Sequence, residues 1–453
     1  MKKCDPKHAR CGKNLSFAFL WLTLNIGAMQ IYLGLGSNLG ERRHQLGIAL
    51  EMLEERGINI DQRSPVVESP AALPANAPAE WNRPFLNLAV RCEVSCSPME
   101  MLTLIEEIHS TMGRKNREPS CPRPIDIDIL LWGKERLEND DLIIPHPRLH
   151  KRNFVLTPLI SMKPLLTVPG LGKKTLVDWS KELFHHIPLW MGILNVTPDS
   201  FSDGGKYLNW QDIEPHIEAM IAAGVHIIDI GGESTRPGAK PLTQKEAWLR
   251  ISDILKKIMI KMQGNPLRPL ISVDTYHPVV ARKALELGAD MINDESGLTS
   301  PEMIKLAKES GAEWVAMHQL TLPVDPAITI SNDSRPEKLL QNWLGDRLDS
   351  WQSAGLDLNR IIFDPGIGFG KNHLQSLEIL RHAGEFRDHG LRTLIGHSRK
   401  SFIKSFSINN DRDLLTVGAS LSLCEQGVDI IRVHDVPSHT AAYLGWAHSV
   451  RKK

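Results

Sequence analysis

From Met29 onward, short apolar runs alternate with longer segments in which apolar residues recur every three or four positions. Alternation with period two fits strands that bury one face, and recurrence near 3.6 fits helices that bury one stripe. Over residues 29–166 the pattern predicts a strand at 31–34, a glycine-rich turn, a helix at 42–56 and a strand near Val66. A strand at 86–94, a helix at 98–112 and a strand at 125–132 follow. The Pro/Ala-rich stretch 69–84 and the basic stretch 113–122 predict loops. The resulting β-α-β-β-α-β order is that of a ferredoxin-like α+β sandwich, with helices on one face of an antiparallel sheet.

After Pro188 the pattern becomes a regular alternation of apolar strands and amphipathic helices, which is the mark of parallel βαβ units. Strands are expected at 191–196, 225–230, 270–273, 290–293, 314–317, 361–363, 391–395 and 430–433, with helices such as 210–223, 278–287, 301–310 and 415–426 between them. Eight such units in sequence predict a (β/α)8 TIM barrel. Residues 167–187, with Pro169, Gly170 and Gly172, read as a linker with room for short structure, so the expected domains are 29–166 and 188–453.

A chain of 453 residues exceeds what one core usually serves, which agrees with two domains. Residues 1–28 are expected to be an extension. The apolar stretch 15–28 behind Lys2, Lys3 and Lys13 imitates a short signal peptide, and Met29 stands directly before the first strand as an alternative start. Lys+Arg equals Asp+Glu at 53 each, so no overall field recruits nucleic acid or an anionic membrane. That directs attention to small-molecule partners, with positive sites built locally. Cys4, Cys11, Cys92, Cys96, Cys121 and Cys424 lack the C-x-x-C spacing of a zinc site, and reduced thiols in a cytoplasmic protein are the expectation.

Catalytic sites of such barrels lie at the C-terminal ends of the strands. Here those ends carry Asn195, Asp229, Asp274, Asn293 with Asp294, His318, Asp364, His397 with Ser398, and Arg432 with His434. One polar end is ordinary turn chemistry, since Asp and Asn open many turns. Convergence at every strand points to a polar binding cup. Its acceptors Asp274, Asn293 and Asp364 suit a ring edge rich in N–H groups, and Lys400, Arg432 and His434 suit an anionic leaving group. Taken singly, Asp274 could cap the turn before Pro278 and Arg432 could pair with Asp229.

In the first half Asp126 and Asp128 stand two apart on a strand and so share a face. Adjacent carboxylates repel unless a cation neutralises them, and hard oxygen ligands suit Mg2+ arriving with nucleotide phosphates. An isolated Asp-x-Asp is more often an exposed strand face. Its flanks change that reading: Arg114, Lys115, Arg117 and Arg123 precede it, and His146, Arg148, Lys151 and Arg152 follow it, forming a cationic surround for a polyphosphate. Arg148 and Lys151 read equally well as solvated surface.

The ordered set Gly34-Leu-Gly-Ser-Asn-Leu-Gly40, Phe85-Leu-Asn87, Arg123-Pro-Ile-Asp-Ile-Asp128 and Pro145-His-Pro with Arg152 resembles 6-hydroxymethyl-7,8-dihydropterin pyrophosphokinases. The resemblance implies that Asp126 and Asp128 bridge two Mg2+, that Phe85 stacks on a pterin and that Asn87 bonds its edge. It further implies that Arg114, Arg123, His146 and Arg152 serve ATP and its transferring phosphates. His109 stands where that family usually has Glu, and Ser120 near where it often has an aromatic residue.

The second half resembles dihydropteroate synthases, through the stretch 191–205, Asp229-Ile-Gly-Gly-Glu-Ser-Thr-Arg-Pro-Gly238, Ser272-Val-Asp-Thr275, Asp364-Pro-Gly-Ile-Gly-Phe-Gly-Lys371, Ser398-Arg-Lys-Ser401 and Arg432-Val-His-Asp435. This resemblance implies pterin binding by Asp229, Asp274, Asn293, Met317, Asp364 and Lys400. It implies 4-aminobenzoate binding by Thr235, Arg236, Pro237, Phe369 and Ser401, and pyrophosphate binding by Asn195, Arg432 and His434. One Mg2+ is expected near Asn195. Together the two resemblances imply that ATP pyrophosphorylates a dihydropterin and that the product condenses with 4-aminobenzoate, without nucleic acid or membrane partners and with a homodimer formed through the barrel. A barrel that moves methyl groups from a folate, and a pterin-binding scaffold whose first site has decayed, are the competing expectations.

Overall fold

In the computed structural model the described residues are 28–114, 120–183, 186–197, 210–233, 240–325, 327–406 and 411–450. The expected positions Thr235, Arg236 and Pro237 lie outside them.

The N-terminal half runs β1 (Met29–Ser37), α1 (Arg42–Glu55), β2 (Asn59–Arg63), β3 (Val67–Ser69), β4 (Phe85–Val94), α2 (Pro98–Thr111) and β5 (Asp126–Trp132). A small hairpin, β6 (Leu137–Glu138) and β7 (Ile143–Ile144), leads to α3 (Asn153–Met162). The antiparallel sheet has the order β2-β4-β1-β5, with β3 also on β4. Counting β2 and β3 as one interrupted strand, this is the ferredoxin-like arrangement that the periodicity predicts.

Alternation along β1 sorts its side chains between two layers. Ile31, Leu33 and Leu35 pack on Leu46, Leu50 and Leu53 of α1 and on Met101, Ile105 and Ile108 of α2. Tyr32 faces the other way, onto Leu156, Leu159 and Ile160 of α3. α2 begins at Ser97, whose hydroxyl accepts from the Glu100 amide while the Glu100 carboxylate accepts from the Ser97 amide, with Pro98 at the first helical position. The segment 167–187 is not featureless: α4 (Leu176–Lys181) is capped by Thr175 with Asp178, and Leu176 and Val177 join the α3 cluster.

The C-terminal half is a closed eight-stranded parallel barrel. Its units are β8 (Leu189–Asn195), α5 (Trp210–Ala222), β9 (Ile227–Gly231), α6 (Gln244–Met262), β10 (Leu270–Asp274), α7 (Pro278–Glu286), β11 (Met291–Asp294), α8 (Pro301–Glu309), β12 (Glu313–Met317) and α9 (Pro336–Ser353). They continue through β13 (Ile361–Asp364), α10 (His373–Arg381), β14 (Arg392–Ile395), α11 (Arg412–Glu425), β15 (Ile430–Val433) and α12 (Val436–Ser449). Isoleucine, valine and tryptophan fill the barrel and its helix layer, with Trp190, Trp314 and Trp351 all but fully buried.

The N-terminal half packs against the floor of the barrel, where the strands begin. Arg392, the first residue of β14, donates from Nη1 to Ser161 O of α3 at 2.9 Å and pairs through Nη2 with Glu313 at 3.1 Å. Arg387 pairs with Asp429 at 3.0 Å and donates to Ser180 Oγ beside α4 at 2.8 Å. Val67 of β3 belongs to the barrel's own apolar cluster. Each buried arginine is neutralised within the barrel, by Asp429 or Glu313, as buried ions must be, and reaches across the junction with a hydrogen bond to Ser180 Oγ or Ser161 O.

Candidate functional site

The first site is a cavity of about 330 Å3 on the sheet face opposite α1 and α2. Glycine makes it possible. Gly34 and Gly36 of β1 register with Asp128 and Asp126 on one side and with Ala89 and Asn87 on the other. A Cβ on Gly36 would lie 3.2 Å from Asn87 Oδ1, and one on Gly34 would lie 3.1 Å from Leu130 Cδ1, so side chains there would press on the walls.

Phe85, Asn87, Asp126, Asp128, His146 and Arg152 line this cavity, together with Arg114 and Arg123. All eight expected residues are therefore brought together. Arg114 Nη1 reaches Asp126 Oδ1 at 2.7 Å, and Arg123 Nη1 lies 3.3 Å from Asp126 Oδ2. Arg123 also sits 5.8 Å from the centre of the Phe85 ring, close enough for a cation–π contact. Its backbone N–H donates to Asn38 Oδ1 at 2.8 Å, which pins the loop preceding β5. Asn87 is buried and donates to Ser69 Oγ at 3.0 Å, leaving its carbonyl toward the cavity-facing glycine. His146 Nε2 stands 4.0 Å from Asp128 Oδ2.

Electrostatically the two carboxylates are unlike. Asp128 is pushed up to about 6, by desolvation first and by the Asp126 charge second. Desolvation and Arg152 hold His146 down at about 4, so its ring is neutral at neutral pH. Among the described residues one carboxylate is paired with two guanidiniums, while the other feels Arg152, Arg123 and Arg114 only at longer range, which leaves the arrangement electrostatically incomplete. It invites a divalent cation.

His109, at the end of α2, is a departure whose role the sequence alone leaves open. It lies beneath the carboxylate pair: its Nε2 is 2.9 Å from the Ile127 amide, and Arg114 Nη1 is 3.0 and 3.2 Å from its two ring nitrogens. Desolvation and Arg114 lower it to about 4. Ser120, the other departure, lines the cavity.

The second site is the rim of the barrel. Arg432 Nε pairs with Asp229 Oδ2 at 2.6 Å, and Nη2 with Asp274 Oδ2 at 2.8 Å. Asn293 Nδ2 donates to the same Asp229 oxygen at 3.1 Å. Both the pairing of Arg432 with Asp229 and its availability to a ligand are thus compatible with one network, because its partners are acids at the mouth. Desolvation raises Asp274 to about 7 against the lowering effect of Arg432. Asp364 is also raised by burial, and its Oδ1 accepts from the Gly366 amide at 2.7 Å.

Lys400 donates to Ile367 O and stands 4.4 Å from the Phe369 ring centre. Burial lowers it to about 8, with Asp364 opposing. The preceding Arg399 takes a φ of 57°, a conformation unusual outside glycine. It points outward to Asp413 at 2.6 Å, while Lys400 turns inward. Ser398 Oγ lies 2.9 Å from His434 Nδ1, and Ser401 Oγ lies 3.0 Å from His373 Nε2. Met317 is buried at the end of β12 and registers with Asp364. Asn195, at the end of β8, places its Oδ1 beside Gly231.

Sequence reasoning missed two members of this rim. Glu295 is buried, its carboxyl is raised well above the ordinary range by desolvation and by Asp274, and Arg432 and Lys400 oppose the shift. Its position two beyond Asn293 was the available signal. Lys371 is buried, donates to His318 O at 2.9 Å and lies 2.8 Å from His318 Nδ1; burial drives it well below a normal lysine. It closes the glycine-rich stretch after Asp364 but reads there as an exposed charge.

Among the described residues no helix is long and apolar enough to cross a membrane, and no three His, Cys, Asp or Glu side chains converge as a preformed metal cage.

Residues 32–164 match the family model of 7,8-dihydro-6-hydroxymethylpterin-pyrophosphokinase, and residues 191–434 match that of pterin binding enzymes. The chain is 36% identical over 431 residues to a folate synthesis bifunctional protein of Chlamydia caviae, covering 91% of this chain and 96% of that protein. It is 33% identical over 485 residues to a mitochondrial folate synthesis bifunctional protein of Arabidopsis thaliana, covering 94% and 85%. The barrel is similar to Xanthomonas albilineans dihydropteroate synthase solved with 4-aminobenzoic acid, at 32% identity and a TM-score of 0.52 over 58% of this chain and 94% of that one. It is similar also to the Anaplasma phagocytophilum synthase solved with bound 6-hydroxymethylpterin-monophosphate, at 38% identity and a TM-score of 0.52 over 58% and 98%. With both family models matched in order, and with relatives of this identity spanned almost end to end, the chain belongs to the family of bifunctional folate synthesis proteins, which join hydroxymethyldihydropterin pyrophosphokinase to dihydropteroate synthase.

Proposed function

We propose that the two activities reside in the two constellations described above and that each residue acts as follows. In the N-terminal cavity Phe85 stacks on the pterin and Asn87 bonds its edge. Arg114, Arg123, His146 and Arg152 surround the ATP phosphates, where fixed cations stabilise charge that develops as the β-phosphorus is transferred. The pterin's hydroxymethyl oxygen forms the new bond to that phosphorus, and AMP leaves. Asp126 and Asp128 fit Mg2+, because two carboxylates on one face are the limited protein contribution that an ion already held by phosphates requires. Two such ions would be held there and would supply charge neutralisation. Neutral His146 donates a hydrogen bond without adding charge.

At the barrel rim Asp229, Asp274, Asn293, Met317 and Asp364 hold the pterin, with Lys400 beside it. Arg432, His434 and Asn195 receive the pyrophosphate, and one amide oxygen from Asn195 fits a single Mg2+ carried by that anion. Thr235, Arg236, Pro237, Phe369 and Ser401 surround 4-aminobenzoate. Pyrophosphate departs first, breaking its bond to the pterin methylene, and the aromatic amine then bonds to the carbocation and releases a proton. A rim that sets acids against the pterin and cations against the departing anion favours that charge separation. We place the protein in the cytoplasm, as a dimer through the barrel.

The observation that carries this reading is the cavity that gathers Asp126 and Asp128 with Arg114, Arg123 and Arg152, together with the rim network of Arg432, Asp229, Asp274 and Asn293, each pairing acids with cations. Asp126→Ala is expected to abolish dihydropteroate formation from hydroxymethyldihydropterin and ATP, and supplied dihydropterin pyrophosphate is expected to restore it. Lys400→Ala is expected to fail with either substrate. Failure of supplied dihydropterin pyrophosphate to rescue Asp126→Ala would refute the assignment.

A further inference from the structure

Three observations meet at His109. β5 is the outermost strand of its sheet, so the Ile127 N–H, between the two aspartates, points off the sheet edge toward α2; His109 Nε2 accepts it at 2.9 Å. The His109 carbonyl accepts from the Arg114 amide at 2.9 Å, which sets where the chain leaves α2. The same ring lies 3.0 Å from Arg114 Nη1, the atom that contacts Asp126 at 2.7 Å. A neutral imidazole has one lone pair and one N–H. With the lone pair on Nε2 serving Ile127, Nδ1 carries the proton and cannot accept from Arg114; the ring offers Arg114 only a share of Nε2, 3.2 Å from Nη1, and no opposing charge. Among the described residues Arg114 pairs with Asp126, a carboxylate it can exchange for a phosphate.

Resting on the assignment of this cavity to pyrophosphoryl transfer, we propose that His109 is a positioning residue for both the Asp126/Asp128 strand segment and Arg114. It touches neither nucleotide nor pterin. Its ring fixes the angle at which the two carboxylates face the cavity and holds Arg114 within reach of the phosphates. Residues behind metal-binding carboxylates that orient them typically change metal affinity or activity about 10-fold to 100-fold when removed.

The test compares His109→Leu, which removes the acceptor at similar bulk, with His109→Gln, whose amide oxygen can replace Nε2. The readouts are the kinase kcat and ATP KM, Mn2+ affinity measured by electron paramagnetic resonance with α,β-methylene-ATP bound, and synthase turnover of supplied dihydropterin pyrophosphate as a control on folding. Leu is expected to weaken Mn2+ binding and lower kcat about 10-fold each, with synthase turnover unchanged, and Gln is expected to recover most of both. Leu values within about twofold of the parent would overturn the proposal, as would a fall in kcat with Mn2+ affinity intact. Should Leu not fold, a Gln variant that loses Mn2+ affinity as fully as Asp126→Ala would overturn it too. If Asp126→Ala itself keeps kinase activity, the site assignment and this proposal fall together.

Discussion

Replacing Arg432 with methionine removes the one cation that Asp229 and Asp274 share. Asp229 is fully buried and meets Arg432 Nε at 2.6 Å, and Asp274 meets Nη2 at 2.8 Å. Stripping the partner from a buried pair costs about 3–5 kcal/mol, because the remaining charge stays desolvated. Against a typical stability of about 5–15 kcal/mol this is a large fraction. The loss should depend on pH. Asp274 already titrates at about 7 with Arg432 lowering it, so without that cation its pKa rises further. A folded-state pKa above the unfolded value means that folding takes up a proton, and stability falls as pH rises through the folded pKa. Below pH 7 both proteins carry the proton and the difference is smallest. Above pH 7 only the parent releases it readily, and the deficit grows by about 1.4 kcal/mol per pH unit until the variant's own pKa is reached. Urea unfolding of the full chain at pH 6 and pH 8.5, followed by tryptophan fluorescence, should show a deficit about 2 kcal/mol larger at pH 8.5. A deficit below about 1 kcal/mol at pH 8.5, or one larger at pH 6, would refute the reasoning.

Burial lowers Lys400 to about 8, so its charge is lost as pH rises through that value, and synthase turnover should decline above pH 8. A parent profile flat to pH 9.5 would count against a role for the charge. Arg387→Met leaves Asp429 buried without the cation that, against desolvation, helps hold its carboxyl at about 2, and it removes the bond to Ser180; a loss of about 3–5 kcal/mol in unfolding free energy is expected. An effect under about 1 kcal/mol would show that the junction relies on apolar packing instead. Because the N-terminal half sits on the barrel floor and the synthase residues sit on the opposite rim, the intermediate is expected to pass through solvent. The lag before dihydropteroate appears should equal that of a mixture of Asp126→Ala and Lys400→Ala proteins, and a shorter lag in the parent would contradict this.

Much of this architecture is legible from periodicity. The eight barrel strands lie within a residue or two of their expected places, because buried parallel strands are almost wholly apolar and end abruptly on polar residues. The split of the second strand of the sandwich into β2 and β3 was not legible, since Ser64 and Pro65 interrupt a run of mixed polarity and the pairing with β4 is a matter of register. Nor was α4, whose six residues lie in a stretch that Pro169, Gly170 and Gly172 mark as a linker. The candidate sites were legible where a residue type is costly without a purpose, as with Asp126 beside Asp128. Glu295 and Lys371 were not, because a lone charge reads as surface until the fold buries it. His109 was visible only as a departure, since the acceptor role of its ring depends on a backbone N–H eighteen residues away in the chain.

The central claim is that one chain carries out both steps in sequence. Purified protein with Mg2+, ATP, 6-hydroxymethyl-7,8-dihydropterin and 4-aminobenzoate should yield 7,8-dihydropteroate, AMP and pyrophosphate in equal amounts, and omitting ATP should stop the reaction unless dihydropterin pyrophosphate is supplied. Dihydropteroate formed without ATP from the alcohol, or none formed from the supplied pyrophosphate, would contradict the account.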